Sequence, residues 1–156
     1  MQSIFRKENT DKALKYGIYR HLPTYEKIIR NLVSFYCTNI EKQAKRWALT
    51  KKGASVVNNY SYLKNPELKI LCFSEMTEEW LDFVVNCRRG KMHTYDIVEG
   101  PMADDQIWDY VEDYTADKIS KEAFWALVKF KYPTHQIVFC TEEALQTLHY
   151  EGSITL

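Results

Sequence analysis

Apolar positions recur along the chain at two spacings, and the switches between them divide it into elements. Thr38-x-x-Glu41 matches a capping box, and Ile40, Ala44, Trp47 and Ala48 form one apolar stripe that Gly53 ends. Two strands are expected next, at 55–60 and, after the Asn65-Pro66 turn, at 68–73. Thr77 starts a helix whose Trp80, Leu81, Val84 and Val85 face inward, with Gly90 just past its end. A short strand at 95–98 stops at Gly100-Pro101. Asp104 then caps a helix carrying Ile107, Trp108 and Val111, and Ser120 caps another carrying Phe124, Leu127 and Val128. The segment 136–140 is a compact strand, and Thr141 caps a last helix with Ala144, Leu145 and Leu148 apolar. Residues 1–34 are harder to divide, and only 25–33, after Pro23, carries a helical spacing (Ile28, Ile29, Leu32). Helices and strands interleave without the period of a doubly wound sheet, so an α+β domain with a mainly antiparallel sheet fits best.

Composition narrows the class. A chain of 156 residues makes one domain, 1–156, with 1–34 its poorly defined N-terminal part. At 46% hydrophobic and 14% aromatic residues it can bury a substantial core of Trp, Tyr and Phe. Its 21 basic and 21 acidic side chains cancel, which argues against a nucleic-acid module built on a strong positive field. No run of 18 apolar residues exists and Met1 to Lys7 lacks an apolar signal region, so a cytoplasmic protein without a membrane partner is expected. Cys37, Cys72, Cys87 and Cys140 stand in no metal-binding spacing, and Cys72 and Cys140 are expected as buried free thiols within strands.

Familiar reaction motifs are missing: there is no Walker loop, no GxGxxG, no HExxH and no GxSxG elbow. His21, His93, His135 and His149 never pair at ligand spacing, so no metal is expected. Arg88-Arg89-Gly90-Lys91 suits either a phosphate backbone or, more simply, the negative end of a helix dipole. The acidic pairs Asp104-Asp105 and Glu142-Glu143 fall in first helical turns, where carboxylates are favoured for local reasons.

From Ser34 to about Leu148 the chain resembles a bacterial domain family of uncharacterised function grouped with the poly-ADP-ribose-polymerase-like ADP-ribosyltransferases. The resemblance is carried by Phe35-Tyr36-Cys37-Thr38 with the helix to Trp47, by Glu79-Trp80-Leu81-Asp82-Phe83-Val84-Val85-Asn86 and by Arg88-Arg89-Gly90-Lys91. It continues in Tyr95-Asp96-Ile97-Val98-Glu99-Gly100-Pro101, Ala103-Asp104-Asp105, Gln136-Ile137-Val138-Phe139 and Thr141-Glu142. The block from Glu79 to Asp105 is specific to the smaller family, and the wider transferase link rests on the flanking motifs. What the resemblance implies is an ADP-ribosyltransferase-like split, mainly antiparallel sheet with flanking helices, holding NAD as substrate in a cleft between two small sheets. Tyr36 then stands where a tyrosine stacks on nicotinamide, and Gln136 where a glutamate usually bonds the nicotinamide ribose. Tyr16, followed by Gly17, falls where an early histidine holds the adenosine ribose; His21 is the competing alignment.

Two departures from that pattern bear on activity. An amide at 136 can hydrogen-bond a ribose hydroxyl but sets no charge against a developing cation, and losing one such contact costs roughly 2.7–4 kcal/mol of barrier. The glycine-rich approach usual before the tyrosine is here Arg30-Asn31-Leu32-Val33-Ser34, whose side chains oppose close backbone approach to a ligand. The resemblance therefore implies either a transferase acting on an unknown protein, nucleic-acid or small-molecule acceptor, or an inactive relative. The latter would serve as a binding partner or regulator in a bacterial toxin or defence system. A third possibility is nucleic-acid binding through Arg88, Arg89 and Lys91.

Overall fold

The computed structural model describes residues 2–8, 34–50, 55–103, 105–128 and 134–156. They fall into two compact units, one within Met1–Cys72, Thr94–Glu99 and His135–Leu156, the other within Phe73–His93 and Gly100–Thr134.

Among the described residues the strands belong to two small sheets. One has β1 (Gln2–Glu8), β3 (Val56–Tyr62) and β7 (Leu148–Thr155) in the order β1-β3-β7, both pairings antiparallel. The other runs β2-β6-β5-β4, from β2 (Phe35–Cys37), β6 (Gln136–Phe139), β5 (Ile97–Gly100) and β4 (Ile70–Cys72). In it β2 and β6 are antiparallel, and β4 and β5 parallel. The α+β class with a mainly antiparallel sheet is therefore observed.

In the first unit the sheets share one core, because alternation along each strand sends every second side chain inward. Cys37, Ile137, Phe139 and Ile97 from the second sheet meet Tyr62 from β3 and Ala144 from α5 (Glu142–Leu145). Tyr62 stands edge-on to Phe139 at 5.3 Å, and Phe35 edge-on to Tyr60 at 5.5 Å, a geometry that the ring quadrupoles favour. Against the other face of β3, Val57 packs on Ala44 and Ala48 of α1 (Glu41–Leu49).

The second unit is helical. Its α2 (Glu78–Arg88), α3 (Asp105–Thr115) and α4 (Lys121–Leu127) enclose Trp80, Leu81, Ile107, Val111, Phe124 and Val128. The Trp80 indole N–H is satisfied inside this core by the Pro101 carbonyl at 3.2 Å. Thr77 and Ser120 cap α2 and α4 as expected, their hydroxyls accepting from the Trp80 and Ala123 N–H groups at 3.2 Å. Gly90 ends α2 at φ 78, a conformation that glycine alone adopts without strain.

Four expectations are corrected. Thr38 does not cap α1: it is fully buried at the end of β2, its hydroxyl accepts from the Ile40 N–H, and Ile40 is the N-cap without a side-chain bond. The last helix ends at Leu145, and Leu148 opens β7, a strand that the sequence pattern hid. Cys72 is exposed and Cys140, only partly buried, lies one residue past β6, and Leu127 points away from the helical core at 46% exposure. The expected helix at 25–33, the Gly53 stop and the Asp104 cap lie outside the described residues. Among the described residues no helix is long and apolar enough to cross a membrane.

Candidate functional site

β2 and β6 carry the two residues singled out from the chemistry of the resemblance. Their antiparallel register pairs Phe35 with Phe139, Tyr36 with Val138, and Cys37 with Ile137. Residues opposite each other share a face, and so do residues two apart on a strand. Phe35, Cys37, Ile137 and Phe139 therefore form the core face, while Tyr36, Val138 and Gln136 lie together on the other. Tyr36 and Gln136, one hundred positions apart in the chain, are diagonal neighbours, a relation that separates residues by about 7–8 Å. Tyr36 is 47% exposed, Gln136 partly exposed, and Val138 between them buried. An accessible phenol ring and an amide thus share one face of adjacent strands.

The start of β6 is held from three directions. Gln43 of α1, itself only 3% exposed, grips the His135 backbone with both ends of its amide: Oε1 accepts from the His135 N–H at 3.0 Å, and Nε2 donates to the His135 carbonyl at 2.7 Å. The Asn39 N–H points at His135 Nδ1 at 3.4 Å, so Nδ1 is the accepting nitrogen of the ring. In the neutral ring the proton then sits on Nε2, which donates to Glu99 Oε1 at 3.1 Å. Both side chains of this pair are largely buried, at 17% and 15% exposure. The hydrogen bond from His135 holds the Glu99 carboxyl below its usual range; burial opposes that, and the charges of His135 and Lys64 add to it. Burial, aided by the Glu99 charge, in turn pushes the Tyr62 phenol up.

Sequence reasoning missed Gln43, Glu99 and His135 as members of one cluster. Their pairings span 92 and 36 positions, and no local spacing encodes contacts of that range. Tyr16, Gly17 and the competing His21 lie outside the described residues. Of the basic cluster, Arg88 lies 5.3 Å over the Trp108 ring and donates to the Ala103 carbonyl, which gives it a structural use. Among the described residues no three His, Cys, Asp or Glu side chains gather as a metal would need. An open depression of about 600 Å³ near the far end of β6 includes Glu67, Asp96 and Glu143. There Asp96 already accepts from the Lys69 N–H and the Thr141 hydroxyl.

No curated protein and no solved structure matches the chain. The family model described as "Protein of unknown function (DUF3990)" matches residues 33–150. That span takes in both Tyr36 and Gln136, the clamp on His135 and the whole helical unit, and the chain belongs to this family.

Proposed function

We propose that the domain is ADP-ribosyltransferase-like and binds NAD on the face shared by Tyr36 and Gln136. The observation that carries this reading is the placement of an exposed tyrosine and a partly exposed amide on one face of adjacent strands. The two small sheets that share a core are further support. Tyr36 offers a flat, stiff surface against which a pyridine ring stacks at low entropy cost. Gln136 supplies one acceptor and two donors, enough to bond a ribose hydroxyl. NAD, when bound, supplies the glycosidic bond whose cleavage such a site assists; the chain's own part is to hold the ring and the sugar.

A second reading, a catalytically inactive binding partner or regulator, is favoured by one specific observation. The carboxylate nearest the start of β6 in the bonding pattern is Glu99, which is engaged by His135 and shares its strand face with the core residue Ile97. It therefore does not replace the charge that Gln136 lacks.

Thermal melting with NAD tests the binding step. At a hundredfold excess over Kd, a native-state ligand adds about 2.7 kcal/mol, and each kcal/mol raises the melting temperature of a chain this size by about 2–4 °C. A folded sample with no shift at millimolar NAD rejects the proposal. Gln136→Glu then separates the two readings. A gain of about a hundred- to thousand-fold in NAD hydrolysis is expected if the rest of the cleft is competent, whereas inertness with retained binding assigns the domain to the regulatory class. The acceptor is an unknown protein, nucleic acid or small molecule, and a role in a toxin or defence system is part of the same proposal.

A further inference from the structure

The paired part of the β2–β6 ladder is three residues long, and Gln136 sits at its open end. β5 flanks β6 on its other edge, so the strand backbone is held from both sides, but backbone pairing does not choose the rotamer of a side chain at the strand's first residue. Here the residue just before Gln136 is tied by four hydrogen bonds to three other segments. Gln43 holds the backbone, Asn39 the inner ring nitrogen and Glu99 the outer one.

Burying an amide at Gln43 is a directional choice. A leucine would fill similar space without any requirement for partners, whereas a buried amide costs stability unless donor and acceptor are both met. Gln43 meets both on one residue, 92 positions away. It also lies on the helix that follows the Tyr36 strand, so the clamp ties the segment carrying the ring to the segment carrying the amide.

We propose that His135 is a positioning residue, clamped by Gln43, Asn39 and Glu99 so that the Gln136 amide is aimed at the ligand that Tyr36 stacks upon. The inference rests on the reading of that face as a nicotinamide-ribose site. His135 itself does not touch the ligand; its ring lies on the core side with both nitrogens engaged.

The test uses the full chain with Gln43→Leu, His135→Leu and His135→Asn, and takes Thr77→Ala, a cap deletion in the helical unit, as a control for lost stability. NAD affinity is read by calorimetric titration and local order by amide hydrogen exchange at 136–139. NAD binding is expected to weaken about tenfold or more in both leucine variants, since ångström-scale misplacement of a contact has effects of that order. It should stay near wild type in Thr77→Ala and be largely restored in His135→Asn, whose Oδ1 can accept from the Asn39 N–H in place of Nδ1. Leucine variants that bind NAD as tightly as Thr77→Ala overturn the proposal. If the wild-type chain binds no NAD, the nicotinamide reading falls by itself and exchange decides the positioning role. Exchange about tenfold faster and confined to 136–139 in the leucine variants upholds it, and unchanged protection there overturns it.

Discussion

Among the described residues of the helical unit the buried side chains are Trp80, Leu81, Met102, Ile107, Val111, Phe124 and Val128, all apolar. Among the described residues all four buried polar side chains, Thr38, Gln43, Asn58 and Ser61, belong to the unit built from the two sheets. Thr38 accepts from Ile40, Gln43 is matched to His135, and Asn58 accepts from the Ser153 hydroxyl. The Ser61 hydroxyl, together with Asn59 Oδ1 and the Tyr62 hydroxyl, is buried with no described partner. The contrast separates two ways of using an interior. One unit converts apolar area into stability with local caps at its helix ends. The other also accepts buried polar groups, of which Gln43 and Asn58 are met by segments 92 and 95 positions away, a departure from the simplest packing that is expected where a fold carries a site.

The sharpest way to break that comparison is in the helical core. Phe124 is fully buried, with Trp125 edge-on at 4.9 Å and Tyr114 at 5.5 Å. Phe124→Ala should cost about 3–5 kcal/mol in urea unfolding, and a cost under about 1 kcal/mol would mean that this unit has no packed core. Next in size is the cap of α2: Thr77→Ala removes the acceptor for the Trp80 N–H and should cost about 1 kcal/mol.

The same contrast explains what the sequence could and could not announce. Thr77, Ser120 and Thr141 were legible because a cap bonds an N–H three residues on, and the apolar stripe of α2 follows from helical period alone. Thr38 misled because its hydroxyl does serve a nearby N–H, that of Ile40, but as a turn at a strand end. β7 was hidden for two reasons. Ala144, Leu145 and Leu148 keep helical spacing across the boundary, and the register shifts between Asn59 and Tyr60, breaking the alternation that marks a strand. At the site, Tyr36 and Gln136 could be named from the resemblance and the strand at 136–140 from local pattern, but not their shared face, which depends on register. The clamp on His135 was illegible, because nothing near Gln43 or Glu99 in sequence tells which segment will pair with it.

Smaller in effect, and specific to the sheet unit, is the pH dependence of the His135–Glu99 pair. The Glu99 carboxyl is held below its ordinary value of 4.5, chiefly by the hydrogen bond from His135. A carboxyl with a depressed folded value stabilises the fold above the unfolded value and loses that contribution as pH falls through the folded one. Urea unfolding from about pH 7 to about pH 3 should therefore show wild type more stable than Glu99→Gln at neutrality, with the difference shrinking below about pH 4.5. A difference that grows on acidification would mean that Glu99 is not held ionised by its partner.

Least in magnitude, and opposite in sign to the usual result, is Tyr62→Phe. Removing a hydroxyl that is hydrogen-bonded typically costs about 1 kcal/mol. The Tyr62 hydroxyl, however, has no described partner although the residue is 2% exposed, so in the fold it has lost its water and gained nothing. Phenylalanine should leave stability unchanged or raise it slightly, and the edge-on contact with Phe139 should survive. Alkaline pH gives the prediction a second arm. Burial raises the Tyr62 pKa above its ordinary value of 10.0. A group with a raised folded value loses its stabilising contribution as pH rises, because the unfolded chain ionises first. Wild type should accordingly weaken above about pH 10 relative to Tyr62→Phe. A loss of about 1 kcal/mol at neutral pH would instead show that the phenol finds a bond, such as an ordered water beside Glu99. The Tyr62 hydroxyl would then join the satisfied polar groups of the sheet unit, with Ser61 Oγ and Asn59 Oδ1 still lacking a described partner.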